Sequence, residues 1–74
     1  HDIEYTVEQC YPGIRESYVV AFSINVAMEE RLVIVAEISL AKNFDADHCL
    51  KAIKNAVTRD HGLATYEIVL IRAK

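Results

Sequence analysis

Asp45, His48 and Cys49 stand at i, i+3 and i+4. On a helix that spacing gathers a carboxylate, an imidazole and a thiol on one side, the donor types of a metal site. A tetrahedral zinc site usually takes four convergent ligands, however, and no second cluster is placed to complete this one. Cys49 also belongs to an apolar stripe, where a free thiol behaves as a small hydrophobe. His48 and Cys49 are sequence neighbours and diverge by a quarter-turn or more on a helix, a poor nucleophile–base pair. His61 precedes Gly62 and reads as a helix-end histidine facing the last carbonyls. No carboxylate at fixed spacing makes it a proton shuttle. Glu29 and Glu30 read as solvated turn residues. Tyr5, Tyr11, Tyr18 and Tyr66 are not interleaved with basic residues, as base stacking would need. The whole chain has two glycines, too few for a glycine-rich phosphate loop. Cys10 and Cys49 lie outside any CxxC spacing and read as buried thiols rather than a bridge. Spacing and composition thus assign no catalytic, cofactor-binding or metal-binding residue.

The elements that would position these groups centre on residues 18–40, the most apolar stretch. It reads as two strands, 18–25 and 31–40, joined as a hairpin through the polar break 25–30. Alternation puts Val20, Phe22 and Ile24 on one face, which Leu32, Ile34, Ala36 and Ile38 can join. The other face carries Val19, Ala21, Val33 and Val35, diluted by Ser23, Glu37 and Ser39. A sheet apolar on both faces has to be covered on both.

Residues 2–11 read as a short helix with Ile3, Val7 and Cys10 on one stripe. Asp2 and Glu4 stand at its N-terminal end, where negative charge suits the dipole, and Pro12-Gly13 ends it. Ile14 reads as a satellite core residue, and residues 15–17 as the approach to the first strand. Residues 41–44 form a connector, and Asp45 is the N-cap of a second helix over 46–61. Ala46, Cys49, Leu50, Ile53, Ala56 and Val57 make its apolar face, and Gly62 its C-cap. Residues 66–72 read as a third strand with Ile68 and Leu70 on one face, Val69 and Ile71 on the other. The fold class is therefore α+β, in the order helix-strand-strand-helix-strand. Its three-stranded mixed sheet has an antiparallel hairpin plus one parallel strand, reached by a right-handed crossover. Two helices leave part of this sheet thinly covered, including some of Val19, Val33, Val35, Val69 and Ile71, and a partner domain is the simplest cover.

With 74 residues the chain is one small domain, spanning 1–74, of a size that is marginally stable alone. The net charge of −3 and the scattered eight Lys and Arg exclude a nucleic-acid surface or an anionic-membrane surface. No apolar run approaches the ~20 residues of a membrane span. The acidic start is the reverse of a secretory leader, so the expected localisation is cytoplasmic. The chain opens without a Met and stops just after an apolar strand, which reads as a piece of a longer polypeptide.

An ordered set of segments carries a resemblance. His1-Asp2-Ile3-Glu4 is followed by Tyr18-Val-Val-Ala-Phe-Ser-Ile24 and by Arg31-Leu-Val-Ile-Val-Ala-Glu37. Then come His61-Gly62-Leu63 and Ile68-Val-Leu-Ile71. Together they resemble the C-terminal subdomain of acyl-adenylate-forming ligases, closest to the fatty-acyl-AMP ligases, over nearly all of the chain. The resemblance implies a parent enzyme that uses ATP and Mg2+ to convert a fatty acid into an acyl-adenylate. The acyl group then passes to the phosphopantetheine thiol of an acyl carrier protein. It implies that the small subdomain moves against a large N-terminal adenylation domain of the same polypeptide. The family's hinge would precede His1, and its catalytic-lysine loop would follow Lys74, which lacks that loop's Thr- and Gly-containing context. No catalytic residue is carried over, and the chain alone is expected to be inactive. Two alternatives stand beside this reading. One is the C-terminal subdomain of an acyl-CoA synthetase, using coenzyme A. The other is a ferredoxin-like regulatory or dimerisation module, which would gain if residues 1–11 formed a strand.

Overall fold

The structure is a computed structural model that describes residues 2–39 and 44–72, without the side chains of residues 15–17. The elements are α1 (Ile3–Cys10), β1 (Ile14–Val26), β2 (Glu29–Ile38), α2 (Ala46–His61) and β3 (Thr65–Arg72). The sheet order is β1-β2-β3, with β1 antiparallel and β3 parallel to β2. Element order and sheet type are those read from the sequence. Residues 3–10 are helical, so the observation that would have favoured a ferredoxin-like module is not made. Leu40, the connector residues 41–43 and Lys74 lie outside the described residues.

Each helix begins on an aspartate. The Asp2 carboxylate accepts from the Tyr5 N–H at 2.6 Å, and that of Asp45 from the His48 N–H at 3.1 Å. Each satisfies a donor that the first helical turn leaves without an intrahelical partner. Gly62 ends α2 at φ 66°, its N–H donating to the Thr58 carbonyl at 2.9 Å. That left-handed position suits a residue without Cβ.

The hairpin is tighter and longer than the sequence suggests. Asn25, Glu29 and Glu30 pair within the strands, and the turn is Ala27-Met28 alone, with φ of 51° and 68°. Positive φ at both central residues is the geometry of a two-residue type I′ turn, whose twist matches the flanking strands. Neither residue is the glycine or asparagine normally favoured there, which is why the turn is hard to read from sequence. A register irregularity between Ile14 and Val19 lets β1 start four residues before the expected Tyr18.

This turn corrects the expected face assignment. Pairing Val26 with Glu29 sets even positions of β1 opposite odd positions of β2: Val20 faces Val35, Phe22 faces Val33, and Ala21 faces Ile34. Residues directly opposite share a face. Val20, Phe22 and Ile24 therefore lie with Val33 and Val35, not with Ile34 and Ala36. The inner face is formed by Val19, Ala21, Ile34, Ala36 and Ile38, joined from β3 by Ile68 and Leu70.

Both helices cover that inner face. α1 lies nearer β1 and α2 nearer β3, and the two helices touch each other. Val7 from α1 and Cys49, Ile53 and Val57 from α2 are fully buried with Ile34 and Ala36 in one cluster. Contact of this kind, rather than propensity, is what stabilises an eight-residue helix. The Glu4 carboxylate adds a tie, accepting from the Ala21 N–H at 3.1 Å. β1 is an outer strand, so alternate N–H groups face away from β2, and Glu4 satisfies one of them.

Candidate functional site

The most conspicuous surface is the outer face of the sheet. Val20, Phe22 and Ile24 on β1 are 53%, 43% and 37% exposed, and Val69 and Ile71 on β3 are 38% and 49% exposed. They flank Val33 and Val35 of β2, which register places between them. The thin cover expected for Val69 and Ile71 is observed. Val19 and Val33, also among the five named, are buried, at 6% and 8% exposed. Val19 points inward under α1 and α2, and Val33 sits on the central strand between Phe22 and Glu67. The exposed members on β1 are the residues that the sequence reading paired with Ile34. The face has Glu67 in register with Val33, and Arg31 opposite Ile24, at its margin. An apolar centre within a charged border is the composition of a docking surface.

A second feature is an open groove of about 870 Å3 between α1 and the last turn of α2. Tyr5, Thr6 and Cys10 line one side, and Arg59, Asp60 and His61 the other. Thr6 is a buried polar residue, and its Oγ1 lies 2.8 Å from His61 Nε2 in a hydrogen bond that joins the two helices. This tertiary partner, 55 residues away in sequence, left no periodic signal. Arg59 clamps Asp60 through Nε at 2.8 Å and Nη2 at 3.2 Å, holding that carboxyl below its ordinary range. The pair is exposed, so it contributes little to stability.

The sequence candidates are separated by the fold. Asp45 is used as a helix cap, His48 is exposed and rests against the Tyr11 ring at 5.6 Å, and Cys49 is fully buried. Burial pushes the Cys49 thiol up to about 11, and that of half-buried Cys10 upward as well. Thiols so shifted stay protonated near neutrality and are weak nucleophiles. Among the described residues no group of three or more His, Cys, Asp and Glu side chains is gathered to hold a metal ion. The N-terminus of α2, the natural place for a phosphate, receives Asp45's own carboxylate instead. The Asp2 carboxylate likewise occupies the start of α1.

The Cys49 shift has a measurable sign. A thiol whose pKa is higher folded than unfolded contributes stability that is complete below its unfolded value of 9. That contribution is lost as pH rises through about 11. Chemical denaturation between pH 8 and pH 11 should show stability falling with pH, and Cys49→Ala should flatten that slope. Equal slopes in both proteins would assign the fall to other groups.

Comparison with known proteins places these features. No family model matches the chain. It is 40% identical over 74 residues to the medium-chain-fatty-acid–[acyl-carrier-protein] ligase JamA of Moorena producens (strain JHB), covering 97% of this chain and 12% of that protein. Among solved structures, a fatty acid AMP ligase from Legionella pneumophila superposes with a TM-score of 0.78 at 27% identity. That match takes in 99% of this chain and 13% of the ligase. A multidomain structure from a keto acid-selecting NRPS module, containing adenylation, ketoreductase and pseudo Asub domains, gives 0.81 at 22% identity and shares the fold. There the match covers 95% of this chain and 6% of the larger one. The chain thus spans about an eighth or less of the proteins it matches.

Proposed function

We infer that this chain, which belongs by sequence and fold with the C-terminal subdomains of the acyl-adenylate-forming ligases, works as the moving subdomain of a fatty-acyl-AMP ligase. The parent enzyme activates a fatty acid with ATP to an acyl-adenylate and passes the acyl group to the thiol of an acyl carrier protein. The observation that carries this reading is the 40% identity along 97% of the chain to a ligase whose acceptor is an acyl carrier protein. Carrier protein rather than coenzyme A is favoured as acceptor on the same ground.

Within that reaction the chain supplies surfaces rather than reacting groups. Its thiols are protonated near neutrality, Asp2 and Asp45 cap helices, Glu4 holds a β1 N–H, and Asp60 pairs with Arg59. ATP, Mg2+ and the fatty acid are assigned to the large N-terminal domain of the same polypeptide. The open face of β1-β2-β3 is the part suited to press against that domain. Adenylation and thiol transfer need different surroundings for the same bound acyl group, and a small body that docks in two orientations provides both. No described helix is long and apolar enough to cross a membrane, and a cytoplasmic enzyme is the setting we propose.

The test measures pyrophosphate release from fatty acid and ATP, for this chain alone and for the full-length parent, followed by acyl transfer to carrier protein or to coenzyme A. The expected outcome is no turnover by the chain, turnover by the parent, and transfer to the carrier protein. Release by the chain alone would overturn the assignment of chemistry to the large domain. Transfer to coenzyme A alone would reassign the acceptor.

A further inference from the structure

The two edges of the sheet are treated differently. At β1 the outer edge is attended by α1, and the Glu4 carboxylate occupies the Ala21 N–H. β3 is the other outer strand. From Ile68 to Ile71 it has neither a proline nor a charged residue, the usual devices that keep an edge from pairing. Its register with β2 is continuous from Val33 and Glu67 to Ile38 and Arg72, so the strand is regular for six residues. Glu67, Val69, Ile71 and Arg72 are exposed.

We propose that the β3 edge is a self-pairing surface, at which two copies of this chain join antiparallel about Val69 into one six-stranded sheet. A two-fold axis through Val69 sets each residue against one whose number completes a constant sum. Ile68 then faces Leu70, Glu67 faces Ile71, and Tyr66 faces Arg72. Because opposed residues share a face in an antiparallel pair, inner positions meet inner positions and outer meet outer. Ile68 and Leu70 extend the inner layer, while Val69 meets its own copy on the outer face. No like charges are opposed, and Arg72 lies across from the Tyr66 ring, a cation–π arrangement. Such an interface is isologous and closed, so it yields a dimer and not a fibre. It uses the edge of β3 and leaves the β1 side of the open face, around Phe22, available.

Sedimentation velocity on this chain across about a hundredfold concentration range tests the proposal, with circular dichroism checking that each variant is folded. The wild type is expected to shift from monomer to dimer. Val69→Lys opposes two ammonium groups across the two-fold axis and should weaken association at least tenfold. Phe22→Asp, on the far strand, should leave it within about twofold. A monomer at every concentration would overturn the proposal. Loss of the dimer in both variants would also overturn it, because face-to-face stacking of the open sheets would then be the contact. Should Val69→Lys fail to fold, Val69→Thr with Ile71→Thr gives a milder edge, and dimerisation undiminished by that pair would refute the β3 contact.

Discussion

Alanine at Ile34 is expected to remove about half of the stability of this chain. Ile34 is fully buried at the centre of the middle strand, paired with Ala21 on one side and Ile68 on the other. It packs in the same cluster as Val7, Ile53 and Val57, so it connects the sheet to both helices. Truncating a buried isoleucine costs about 2–5 kcal/mol, through lost transfer energy and the cavity left behind. A domain of this size holds on the order of 0.05–0.15 kcal/mol per residue. Over 74 residues that is about 4–11 kcal/mol, so the single substitution removes about half of it, and urea denaturation should show the midpoint falling by a similar fraction. A fall below about 1 kcal/mol would mean that the layers do not meet at Ile34.

The second large effect concerns activity in the parent. Phe22→Asp places a carboxylate on the β1 side of the open face, where Phe22 is 43% exposed and is not among the described residues packed on the core cluster. The isolated chain should stay folded but lose about 1–2 kcal/mol, because a half-buried aromatic opposite Val33 is replaced by a poor strand former. In the full-length ligase proposed above, the same change would bury an unpaired charge when the face docks on the large domain. Turnover should drop at least tenfold, which corresponds to about 1.4 kcal/mol. Measuring adenylation and thiol transfer separately identifies the orientation that uses this face: the half-reaction that falls is the one in which it is covered. Undiminished rates in both would show that the apolar face is not the docking surface.

Much of this architecture is legible from local chemistry. Asp45 and Gly62 are cap residues whose roles follow from sequence neighbours alone, while Asp2, expected within the helix as a charge suited to its dipole, is the N-cap of α1. The stripe of Cys49, Ile53, Ala56 and Val57 repeats at helical spacing, and all four are buried. The same stripe explains why Cys49 is a core residue and not a ligand beside His48. The Thr6–His61 bond was not legible, because nothing near either residue in sequence marks the other as its partner.

What the sequence determined by itself was the order and kind of the elements, their caps, and the presence of more apolar strand surface than two helices can cover. Which surface stays open was decided by tertiary structure. A strand's faces differ by a single residue of register, and the Ala27-Met28 turn, in a backbone conformation that neither residue favours, chose the odd-against-even pairing. With that choice made, both helices settled on Val19, Ile34 and Ala36, and Val20, Phe22 and Ile24 were left facing outward.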